Sequence, residues 1–151
     1  METMEPILAA HPFFKGLDRR YLKLIVECAS RETFTPGKFL CRDNEEARKF
    51  YVIHHGRVAV EIYRARRGAL TIQTLGDGEV LGWLWFDRPY HWHLDAEALD
   101  LTRVISLDVA GLMERCSQDH DLGYELMRRY AHHLAVQFRV IKSQLADFYG
   151  D

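Results

Sequence analysis

The chain is 151 residues long, 48% apolar and 28% charged, with a net charge of −2 and a pI near 6.4. These values fit one globular domain with its own core, and they exclude a disordered chain and a basic nucleic-acid-binding module. Cys28, Cys41 and Cys116 are odd in number and widely spaced, which predicts reduced thiols, a cytoplasmic location and no disulfide framework.

The opening METMEPILAAHPFF has no basic start and no long apolar run, so no secretory leader is expected. No stretch reaches the ~18 apolar residues of a membrane span. Phe13 and Phe14 are expected to anchor a short helical turn on the core. Leu17, Tyr21, Leu24, Ile25 and Cys28 fall at helical spacing behind Asp18, a suitable N-cap, and predict a helix over 18–29. Pro36-Gly37 is a turn. Phe39, a polar loop at 43–47 and the run Phe50, Val52, Ile53 follow. Val58, Val60 and Ile62 alternate with polar neighbours, and Leu70, Ile72 and Thr74 repeat the pattern, as half-buried strands do. Arg64, Arg66 and Arg67 between them read as a solvated hairpin end. A last group of strands is expected over 95–107. Asp108 caps a short helix carrying Val109, Leu112 and Met113. From Asp119 to Gly150, apolar residues recur every three or four positions, predicting one long amphipathic helix. The fold class is therefore mainly β, with helical residues 1–30, a barrel over 31–108 and C-terminal helices over 109–149.

Several of these segments resemble one family. The run HPFFKGLDRRYLKLIVECASRETFTPGKFL looks like the start of cyclic nucleotide-binding domains of the catabolite activator protein and kinase regulatory-subunit type. Phe50-Tyr51-Val52-Ile53, then Gly56-Arg57-Val58-Ala59-Val60, is similar to that family's central strand pair. Leu75-Gly76-Asp77-Gly78-Glu79-Val80-Leu81-Gly82 is similar to the turn that opens its phosphate-binding cassette. The resemblance implies a jelly-roll (double-stranded β-helix) barrel flanked by helices, with a C-terminal helix that caps the ligand or forms a dimer seam.

It also implies a ligand site along Gly82, Trp83, Leu84, Arg88, Tyr90, Trp92, His93, Leu94 and Asp95. In the family, a helix N-terminus and an arginine hold the cyclic phosphate, and a glutamate accepts the ribose hydroxyl. Here Trp83 stands where the glutamate belongs, and Trp92 or His93 where the arginine belongs. The two lost contacts, at ~2–3 and ~1–2 kcal/mol, lower affinity by about two to three orders of magnitude. Three readings stay open at this point. The aromatics Trp83, Trp85, Phe86, Tyr90 and Trp92 plug the pocket, or line it for another small molecule, or leave a weak cyclic-nucleotide site with His93 or Arg88 as stand-in.

His91, His93 and Glu97 resemble the metal-binding segment of cupins, and strand alternation would put them on one face. The later histidine of that motif is missing, so no metal or cofactor is expected. No nucleophile elbow, Walker loop or dinucleotide fingerprint occurs, and no enzyme activity is expected.

The long helix would extend ~40 Å, more than a small barrel covers. A homodimer through Leu126, Tyr130, Leu134, Phe138, Ile141 and Leu145 is expected. The chain shows no helix-turn-helix after this helix, so DNA binding of that kind is not expected. The sequence points to a regulatory domain with a small-molecule ligand or an unknown protein partner.

Overall fold

The computed structural model describes residues 4–82 and 91–150. Helix α1 (Met4–Ala10) carries Pro6 in its first turn, where the missing N–H had no helical partner to lose. Helix α2 (Arg19–Val26) is capped by Asp18, whose side chain accepts from Arg20 N at 2.8 Å. Eight strands follow: β1 (Ala29–Phe34), β2 (Phe39–Cys41), β3 (Lys49–His55), β4 (Val58–Arg64), β5 (Gly68–Leu75), β6 (Val80–Leu81), β7 (Asp95–Ala98) and β8 (Thr102–Asp108). Helices α3 (Val109–Gln118) and α4 (His120–Tyr149) complete the chain.

The strands form two antiparallel four-stranded sheets, ordered β1-β8-β3-β6 and β2-β7-β4-β5. This interleaving is the jelly roll implied by the resemblance. Helix α2 ends before Cys28, short of the expected 29. The residues that follow pair with β8 instead, from Ala29 opposite Leu107 to Phe34 opposite Thr102. The segment Ala-Ser-Arg-Glu-Thr-Phe has a weak strand pattern of its own, so the register partner decides its state.

Two cores share the β3 strand. Phe50 and Val52 face the helices, where they meet Leu8, Phe14, Ile25, Leu112, Leu122 and Leu126. Tyr51 and Ile53 face the barrel interior, with Val58, Val60, Leu75, Leu81, Trp92 and Leu94. Burial on both faces explains why β3 reads as an unbroken apolar run rather than an alternation. Arg66 and Arg67 sit in the β4–β5 turn and are exposed, as a hairpin end should be. No described helix is long and apolar enough to cross a membrane.

Candidate functional site

The barrel interior is the first place to look for a ligand. Burial shows which residues of the 91–98 segment reach it. Trp92, Leu94, Ala96 and Ala98 belong to the interior core. Within β7, Asp95 and Glu97 take the opposite face; ahead of it His91 is half-buried and His93 exposed. Of the two candidates for the missing arginine's place, Trp92 points inward and His93 is exposed.

Trp92 is fixed on every side. Its ring stacks on Tyr51, with centroids 6.3 Å apart and planes 18° apart. Tyr51 in turn meets Phe34 edge-on and donates its hydroxyl to Leu40 O at 3.2 Å. The Trp92 backbone N–H donates to Glu45 O at 2.8 Å, and Asn44 N–H donates to Trp92 O at 2.7 Å. The turn that reaches over to make these bonds has Asn44 at φ +72°, a conformation asparagine tolerates better than most residues. Burial pushes both the Tyr51 hydroxyl and the Cys41 thiol upward from their ordinary pKa values, so this interior carries no charge from either.

No lysine or arginine is among the buried residues described. Asp95 is buried but serves the outer face: it accepts from Asp43 N at 2.7 Å and lies 3.5 Å from the Arg42 guanidinium. It thereby anchors the same 43–46 turn that clamps Trp92. Glu97 lies on that outer face too, opposite Ala59 of β4, and burial, then the neighbouring Glu97 and Asp95 carboxylates, raise the pKa of Glu61 there. Among the described residues no cluster of histidine, cysteine and carboxylate groups could hold a metal ion. Of His91, His93 and Glu97 only Glu97 lies in a named strand, so the expected alternation does not align the three, and they are not assembled into a ligand set among the described residues.

Gly82 closes the turn at the cassette's start with φ +136°. A Cβ there would stand 2.5 Å from that of Phe50, so no other residue fits without a shift. Trp83, Leu84, Arg88 and Tyr90 lie outside the described residues.

A second region lies under α4. Arg129 donates from one guanidinium nitrogen to Phe13 O and Lys15 O, both at 2.9 Å, and so pins the N-terminal turn to the helix. One turn further on, His133 meets the Phe13 ring edge-on at 6.5 Å, and burial lowers its pKa to about 4. Gln137 is buried and accepts a hydrogen bond from the Gln73 amide of β5. A cavity of about 580 Å³ opens between these groups and the 78–80 turn. Sequence reasoning missed Gln73, Gln137 and His133. Gln137 left one signal, a polar residue seven positions beyond Tyr130 on the helix's inward stripe.

The dimer candidates divide. Leu126 and Tyr130 are buried in the protomer's own helical core, so they cannot serve a seam. Their stripe is consumed by α1–α3 and the N-terminal turn. Leu134, Phe138 and Leu145 are exposed, and Ile141 is half-buried.

The family described as the cyclic nucleotide-binding domain matches residues 31–119, more than half of the chain. Among solved structures, a cyclic nucleotide-binding protein from Geobacter metallireducens is similar at TM-score 0.77 and 22% identity, covering 91% of this chain and 98% of that one. A cyclic nucleotide-binding domain from Methylobacillus flagellatus gives TM-score 0.82 at 15% identity, covering 99% and 84%. The regulatory subunit of a cAMP-independent protein kinase A from Trypanosoma cruzi, bound to guanosine, gives 0.64 at 23%, covering 91% and 50%. No curated protein sequence matches.

Proposed function

This chain belongs to the cyclic nucleotide-binding domain family, and on that premise we propose that it is a non-catalytic regulatory domain that does not read a typical cyclic nucleotide and signals through α4. One observation carries the reading. An indole, Trp92, takes the inward one of the two positions at which the resemblance places the phosphate's arginine, and it is stacked and clamped there. An indole offers one neutral donor, whereas a cyclic phosphate needs charge-assisted donors once it leaves water. The interior around it holds no cationic side chain among the described residues. The kinase regulatory subunit similar to this chain is described as cAMP-independent and bound to guanosine, which supports a fold open to other ligands. Trp83, Leu84, Arg88 and Tyr90 remain part of this reading through the resemblance alone.

Isothermal titration with cAMP and cGMP at millimolar concentration tests it. No saturable heat is expected from either nucleotide. Saturable uptake of either one would overturn the reading and establish the weak cyclic-nucleotide site in its place.

The same reading includes a homodimer. Phe138 and Leu145 expose 69% and 54% of their surface on the last turns of α4, beside the exposed Leu134. A soluble chain that leaves such a stripe bare on one helix favours a second copy of that helix as its cover.

A further inference from the structure

The cavity beneath α4 is separate from the Trp92 interior and is built differently. At about 580 Å³ it is in the range of small-molecule sites. Phe13 and Val136 give it apolar walls, and three cations line it, Lys15, Arg128 and Arg129, against one carboxylate, Glu79. Arg129 is committed to the Phe13 and Lys15 carbonyls, while Lys15 and Arg128 are exposed at the mouth. Arg128 shares the single carboxylate of Glu125 with Arg129, so positive charge is in excess there.

The wall of the cavity also carries buried polar atoms without partners. Gln73 is 5% exposed and lines the cavity. Its amide N–H donates to Gln137, yet its Oε1 has no hydrogen-bond partner. His133 Nε2, in the same wall, is buried without one as well. A buried polar atom left unpaired costs about 1–3 kcal/mol, so turning either side chain toward the cavity would gain it a partner in a polar guest.

We propose that this cavity binds a small organic anion with an apolar body, its charge held at the mouth by Lys15 and Arg128 and its body laid against Phe13 and Val136. The walls come from the N-terminal turn, the 78–80 turn and α4, so the guest bridges the barrel to the signalling helix. The proposal does not depend on the fate of cyclic nucleotides at Trp92, because neither the residues nor the probes are shared.

The probes are indole-3-acetate and its neutral isostere indole-3-acetamide, titrated calorimetrically into the wild-type chain and into a K15Q/R128Q variant. Both substituted side chains are exposed, so the fold is preserved. Saturable binding of the acetate is expected, at least tenfold tighter than the amide, weakened by added salt and reduced at least tenfold in the variant. Hydrogen exchange should slow on binding at residues 13–15, 78–80 and 128–140. Equal binding of acetate and amide, unchanged affinity in the variant, protection confined to other segments, or no saturable uptake would each overturn the proposal.

Discussion

Trp92 stacks on Tyr51, and its backbone is bonded on both sides to the 44–45 turn. Removing the indole therefore leaves walls that cannot close in, because the strands holding them are fixed by the sheet and by that turn. Substitution W92A is expected to cost ~3–5 kcal/mol, the upper range for an aromatic truncated in a core that cannot collapse. Urea denaturation measures it, and a loss under about 1 kcal/mol would mean that the indole is not packed as described. The buried histidines give a second test. Burial lowers both His11 and His133 from 6.5 to about 4, more strongly than the Ile53 and Glu79 carbonyls raise His11. Between pH 4 and 6.5 the unfolded chain then binds more protons than the folded one. Stability is full above pH 6.5 and falls as pH drops towards 4, by up to roughly 3 kcal/mol per histidine. The urea midpoint should decline across that window, and H133Q should flatten the decline. An unchanged slope in H133Q would show that His133 titrates normally.

Elements differ in how much of themselves they declare in sequence. Helix α4 declares nearly everything: a three-to-four spacing sustained over 30 residues and an acidic cap. Asp119 accepts from Asp121 N at 3.1 Å and Leu122 N at 3.2 Å, so D119A should destabilise by about 1 kcal/mol in thermal or urea unfolding. D119N, which keeps an acceptor, should cost a fraction of that. The strand β3 is equally readable, since only a doubly covered strand carries Phe-Tyr-Val-Ile unbroken. By contrast β1 is a polar segment whose state is set by a partner 70 residues away, and local spacing extended the preceding helix into it. The candidate site divides along the same line. The resemblance leaves Trp92 and His93 both open for the arginine's place, and only tertiary packing shows that Trp92 is the one buried in the barrel core. The Gln73–Gln137 pair joins a strand to a helix 64 positions later, a contact with no local signature. Leu126 and Tyr130 were read as seam residues because periodicity reports an apolar stripe and not its cover.

At the scale of the whole molecule, α4 changes role along its length. It is ~45 Å long at 1.5 Å per residue, and its buried side chains end at Gln137. The first half is thus part of the protomer's core, and the second half carries Phe138, Leu145, Phe148 and Tyr149 in the open. On the proposed reading the ligand cavity and the interaction surface lie on one helix, with Gln137 at the join. If a second copy covers the outer half, association and folding are linked by mass action, and the melting temperature should rise with protein concentration. The double variant F138D/L145D places charge where that cover would sit, without touching a side chain buried in the protomer. It is expected to elute as a monomer under light scattering at tens of micromolar, with a melting temperature independent of concentration. A wild-type chain that is itself monomeric under those conditions would remove the dimer.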